Sequence, residues 1–148
     1  MSKAELFDKF LADNKIDCFS KEEIDNDQHS VVYRAHMEVC GQMLPTMVVF
    51  DSSIYGMVQV LIAPKAVNDG NRLAVLELLN ELNRKYKVFK YYIGENGELS
   101  LDSCIADSDA SFEPLIVHTV INVILKHLNE EYPQLMKAIW VQPEASES

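Results

Sequence analysis

The sequence predicts an α+β fold in which an antiparallel sheet is built in the order α-β-β-β-α-β-β-α. Three observations predict it. Apolar residues recur every three or four positions in an N-terminal, a central and a C-terminal stretch, and every second position in the segments between them. The alternating segments follow one another too closely for parallel crossovers, which need a dozen residues or more. Asn96-Gly97 separates two of these segments, and that dipeptide is the strongest short-range signal for a tight hairpin.

Each element has its own local cause. Ser2 with Glu5 three residues on forms a capping box, and Leu6, Phe7, Phe10 and Leu11 follow at helical spacing, so residues 3–13 are expected to be an amphipathic helix. From Val31 to Val39 the odd positions Val31, Tyr33, Ala35, Met37 and Val39 are apolar, while Arg34, His36 and Glu38 point the other way, which is the pattern of a half-buried strand. Gly41-Gln42 is expected to turn the chain into a second strand, Met43 to Phe50, and Asp51-Ser52-Ser53 into a third, Tyr55 to Ile62. Past Pro64 the period changes. On a wheel started at Leu73, the residues Val75, Leu76, Leu78, Leu79, Leu82 and Tyr86 fill an arc from about 140° to about 300°, so residues 70–86 should be a helix. Lys87 to Ile93 and Glu98 to Ile105 form the predicted hairpin. Ser111 is placed to cap a helix running from Phe112 to Asn129, with Pro114 tolerated in its first turn, and a short separate helical piece is expected from Pro133 to Trp140.

In the helix from Phe112 the apolar positions cover about 200°, roughly twice what packing on one sheet requires. Either the helix is sandwiched between the sheet and the first helix, or part of this face is shared with a second subunit; Ile116, Val120, Ile124 and Leu128 are the candidate interface residues.

At 148 residues the chain is long enough for one sizeable core, and one domain over residues 1–142 is expected, followed by a disordered polar tail at 143–148. Acidic residues outnumber basic ones 23 to 13, and the net charge of −10 disfavours nucleic acid and anionic membranes as partners. No stretch approaches the roughly 20 apolar residues of a membrane span, and no apolar signal core follows Met1, so a cytoplasmic location is expected. Cys18, Cys40 and Cys104 are widely spaced and are expected to be reduced core thiols.

A search for chemistry finds no complete motif. The five glycines form no phosphate-binding loop, and neither a cofactor nor catalytic residues are predicted. His118 and His127 lie nine residues apart, on opposite faces of one helix, and cannot share a metal ion. Asp107-x-Asp109-x-Ser111 begins like a calcium loop, but Phe112 and His118 stand where glycine and a bidentate glutamate are needed, so a turn is expected. Asp51-Ser52-Ser53 lacks the nucleophile elbow and reads as a hairpin turn. His36, beside Arg34 and Glu38, is a conceivable general base, but its pattern is that of a solvated sheet face. The run from Arg84 to Tyr92 alternates cations with aromatics as a stacking platform does; a helix C-terminus leading into a strand accounts for the same residues. Asn80 and Asn83 are the unusual positions, because they sit on the apolar side of the central helix and a buried carboxamide needs partners. They mark either a docking contact to neighbouring backbone or a polar spot in a partner-binding groove.

The run Leu79-Asn80-Glu81-Leu82-Asn83-Arg84-Lys85-Tyr86-Lys87-Val88-Phe89-Lys90-Tyr91-Tyr92, followed by Asn96-Gly97-Glu98-Leu99, resembles the YbjN-like bacterial proteins, which are labelled sensory transduction regulators. The resemblance implies a fold similar to type III secretion chaperones, with the same order of helix, three strands, helix, hairpin and helix. Those chaperones are small, acidic cytosolic homodimers that hold segments of other proteins. By that resemblance the chain is expected to be a non-enzymatic interaction module, chaperone-like or a regulatory adaptor, with a protein partner and a homodimeric state. The other expectation is a small-molecule sensor with a pocket between sheet and helices, lined by Tyr86, Tyr91, Tyr92 and Asn83.

Overall fold

The computed structural model describes residues 1–140; the expected tail at 143–148 lies outside the described residues. The observed order is α1 (Lys3–Asp13), β1 (Ser20–Glu23), β2 (Val31–Val39), β3 (Gln42–Phe50), β4 (Tyr55–Ala63), α2 (Arg72–Lys85), β5 (Lys90–Ile93), β6 (Leu99–Ala106) and α3 (Pro114–Trp140). The strands form one antiparallel sheet in the order β1-β2-β3-β4-β6-β5.

The capping box forms as the sequence predicts: the Ser2 hydroxyl accepts the Glu5 N–H at 3.2 Å and the Glu5 carboxylate accepts the Ser2 N–H at 3.4 Å. Helix α1 then drives Phe7 into an aromatic cluster with Tyr33 and Phe50, ring centroids 4.8 and 5.3 Å away. Strand β1 is an addition to the predicted order. Its sequence, Ser-Lys-Glu-Glu, is exposed along its whole length, so no alternation could announce it. It exists because β2 offers a free edge, and its side chains hold on through Arg34–Glu22 at 3.2 Å and Lys21–Asp8 at 2.7 Å.

The turn between β2 and β3 falls one residue earlier than predicted. Cys40 and Gly41 both have positive φ, 48° and 82°, as a two-residue hairpin of the primed type requires, and Val39 pairs with Gln42. Pro45 is tolerated within β3 because the ladder to β4 begins only at Thr46. The hairpin at Asn96-Gly97 is wider than predicted: β5 starts at Lys90, and residues 94–98 form the loop. Gly97 is required there, since a Cβ would stand 2.4 Å from the Val67 carbonyl oxygen.

Helix α3 corrects two expectations. Ser111 is not its cap; that hydroxyl donates to Asp107, and the helix opens at Pro114 with the Glu113 carboxylate accepting the Leu115 N–H at 3.3 Å. Nor does the helix stop before Pro133. Proline removes the N–H that would serve the Asn129 carbonyl one turn earlier. That carbonyl instead accepts the Cys40 thiol at 3.6 Å, while the Asn129 side-chain oxygen accepts the Cys40 N–H at 3.1 Å. The β2–β3 turn thereby carries the helix across its weak point.

The three cysteines are all exposed, not core thiols: Cys40 lies in the turn and Cys104 on the outward side of β6. Leu76, expected within the buried arc of α2, is also exposed, and burial there is confined to Val75, Leu78, Leu79 and Leu82. No helix among the described residues is long and apolar enough to cross a membrane.

Candidate docking face of the sheet

Helices α2 and α3 pack on one side of the sheet, and α1 packs against α3 on that side. The inward positions Tyr33, Val39, Val48, Phe50, Val58, Val60, Leu99 and Leu101 are buried beneath them. The pleat sends the alternate positions to the opposite face. There Met43, Tyr55, Met57 and Tyr92 are exposed, and Met47, Val49 and Leu61 lie half-buried between their neighbours. Registered pairs join them across strands: Val49 with Met57, Met57 with Cys104, and Gln59 with Asp102. Apolar surface of this extent is unusual for an uncovered face, and unbranched methionines can repack against surfaces of different shape.

Polar residues flank this apolar patch, Glu22, Arg34, His36 and Glu38 toward the β1 edge and Gln59, Lys90, Ser100 and Asp102 toward the β5 edge. Arg34 pairs with Glu22, and His36 and Glu38 are exposed nearby. The Gln59 amide donates to the Tyr92 hydroxyl at 2.5 Å. Asp102 lies between Gln59 and Lys90 in register, yet its Oδ1 is buried with no hydrogen-bond partner. Burial pushes its carboxyl up from the usual range, and the neighbouring Gln59 and Tyr92 only partly counter this.

One end of the face opens into a groove of about 610 Å³, lined by Met43, Pro45, Leu61, Tyr132, Met136 and Trp140 among others. A second groove, of about 730 Å³, lies between the start of α1 and the β1 side of the sheet and is lined by charged groups including Lys3, Lys21, Glu23 and Asp51. Lys3 is buried there, donating to the Ser53 carbonyl at 2.6 Å and to Asp109 at 3.1 Å.

The residues singled out from sequence fall at separate places. Asn83 bonds the backbone of Tyr91 through both ends of its amide, and Asn80 is exposed. Tyr91 is buried against His127, whose Nε2 lies 2.5 Å from its hydroxyl, while Tyr92 faces the other side of the sheet; neither of the two grooves is lined by this group. Ile124 and Leu128 are fully buried within the chain, Val120 is half-buried, and Ile116 is exposed beside Leu115 and Val123. His118 lies with its ring centroid 5.7 Å from that of Phe10, the two rings tilted, away from His127. Asp107 closes a turn by accepting the Ser108 N–H and the Ser111 hydroxyl, and Asp51 does the same for Ser53. In the run from Arg84 to Tyr92, Arg84 and Lys85 occupy the last turn of α2, and Phe89 and Tyr91 are core. Among the described residues no group of three or more His, Cys, Asp or Glu side chains is arranged to hold a metal ion.

Asn71 carries structural weight that its sequence context did not announce. It is buried and donates to the carbonyls of Ala66 and Ile139, tying the start of α2 to the end of α3.

Fold and surface together define an α+β protein whose sheet is helix-covered on one face and open on the other, where an apolar patch lies on β3 and β4. Within that class the chain belongs to the YbjN family, described as "Putative bacterial sensory transduction regulator", whose model matches residues 9–115. A solved structure, described as that of the ExsC-ExsE complex, is similar at a TM-score of 0.48 and 12% identity, over 96% of this chain and 94% of that one. No curated protein matches.

Proposed function

We propose that the chain is a non-enzymatic interaction module, a chaperone-like or regulatory adaptor that binds another protein and works in the cytoplasm as a homodimer. The observation that carries this reading is the open sheet face, where Met43, Tyr55 and Met57 stand exposed beside Met47, Val49 and Leu61. An apolar surface of this kind is stabilised when a partner removes it from water, at ~25 cal/mol per Å² covered. The regulator description of the family supports a role exerted on other proteins.

The test compares wild type with a Met43→Glu, Met57→Glu double variant. Both side chains are on the surface, so the variant should fold normally. Proteins retained by immobilised wild type and lost by the variant support the reading; retention by both, with the same proteins bound, removes this face from it.

A second reading, a small-molecule sensor, is favoured by the groove of about 610 Å³ near Trp140, a volume in the range of ligand sites. Native mass spectrometry of the purified protein decides it: a bound mass lost on a Trp140→Ala substitution supports a sensor, and its repeated absence counts against one.

A further inference from the structure

Asp102 has a cation opposite it in the ladder and does not receive it. Lys90 is its registered partner in β5, but the Lys90 ammonium donates instead to the carbonyls of Asn83 at 2.9 Å and Tyr86 at 2.8 Å, at the C-terminal end of α2. On the other flank the Gln59 amide is turned to Tyr92. The other cation of this sheet face, Arg34, is paired with Glu22. Asp102 Oδ1 is therefore left buried with no cation against it, among Met57, Leu61, Gln59 and Tyr92, in a chain of net charge −10. An uncompensated carboxylate in such surroundings is unfavourable until a cation arrives.

We infer that the open face of the sheet takes a segment of a partner protein in which apolar residues flank one arginine or lysine, and that this cation pairs with Asp102. The inference rests on the reading of the chain as a protein-binding module and adds the chemistry of what is bound. Met57 and Leu61 are diagonal neighbours of Asp102, placed to cover the aliphatic stem of the incoming side chain. Only neutral groups, Gln59 and Tyr92, act on the Asp102 carboxyl and partly counter its burial, and Tyr92 is 40% exposed, so an incoming cation can take their place.

The test uses the full chain and two labelled synthetic peptides of alternating valine and serine, one with a central arginine and the other with citrulline, its neutral isostere. Fluorescence anisotropy gives the affinities, and amide NMR shifts locate the site. The arginine peptide is expected to bind about 10-fold tighter or more, to shift the amides of Gln59, Tyr92 and Asp102, and to lose its advantage in Asp102→Asn, with Asp102→Ser as a second variant if the first folds poorly. Equal affinity of the two peptides, an arginine preference that survives both variants, or shifts centred elsewhere overturns the inference while leaving the module reading intact. Binding of neither peptide also overturns it, and the module reading falls as well only if immobilised wild type retains no protein, neither one that the Met43→Glu, Met57→Glu variant fails to retain nor one that it shares with that variant.

Discussion

The side-chain amide of Asn83 closes two hydrogen bonds on the backbone of Tyr91: its oxygen accepts the Tyr91 N–H at 2.8 Å and its nitrogen donates to the Tyr91 carbonyl at 3.1 Å. Tyr91 belongs to β5, an edge strand, so one carboxamide supplies there what a neighbouring strand would. Lys90 strengthens the same junction by bonding the last carbonyls of α2, where a cation also complements the helix dipole.

Asn83→Leu is accordingly expected to lower stability by about 1–3 kcal/mol, because it leaves two backbone groups of a half-buried edge unmatched. It also exposes that edge to other strands. Urea unfolding measures the first effect and light scattering the second. An unchanged midpoint together with unchanged association would mean that water replaces the carboxamide.

The passage of α3 through Pro133 gives a prediction of opposite sign. Pro133→Ala returns an N–H to the Asn129 carbonyl and is expected to stabilise the protein by about 1–3 kcal/mol. Cys40→Ala removes the thiol that now serves that carbonyl and is expected to cost about 0.5–1 kcal/mol. In the Pro133→Ala background the Cys40→Ala cost should shrink, since the carbonyl then has another donor. Thermal unfolding of the two single variants and the double variant closes the cycle; strictly additive effects would dissociate the thiol from the proline.

His127 predicts an acid-sensitive step. The ring is 4% exposed, lies 4.4 Å from the ring centroids of both Tyr86 and Phe89, and has a buried Nδ1 without a partner. Burial brings its pKa down from 6.5 to about 4, with Glu130 favouring and Lys85 opposing the proton. The unfolded chain therefore binds this proton at a higher pH than the folded one. Its contribution to stability is complete above about pH 6.5 and is lost as pH falls toward 4, by on the order of 3 kcal/mol. Urea midpoints of wild type should decline across this window more steeply than those of His127→Gln. Parallel curves for the two proteins would contradict the assignment.

Most elements were legible because their causes are local. Ser2 and Glu5 announce α1, the odd positions from Val31 to Val39 announce β2, and the leucines after Leu73 announce α2. What escaped depends on distant groups. Strand β1 has no pattern of its own and needs the edge of β2, and the continuity of α3 depends on Cys40, 89 residues before Asn129. The docking face was half legible: alternation separates Met43, Met47 and Met57 from the core positions, but it does not tell whether a helix covers them. Asp102 was hidden for the same reason, since Lys90 is drawn away only by where α2 ends.

The apolar arc of α3 yields the remaining prediction, because the structure divides it. Val117, Ile124 and Leu128 are 0% exposed, whereas Leu115, Ile116 and Val123 are 53%, 52% and 41% exposed along one stripe of the helix. Leu128→Ala should cost about 2–5 kcal/mol through the cavity it leaves, whatever the state of association. In the proposed homodimer the stripe is the part of α3 available to a second copy, so an Ile116→Asp, Val123→Asp variant should move the light-scattering mass from twice 16.8 kDa to 16.8 kDa while keeping the far-ultraviolet spectrum of a folded chain. A wild type that stays monomeric at high concentration removes the homodimer from the proposal. It would leave the open sheet face as the surface to map, because that face contains none of Leu115, Ile116 and Val123.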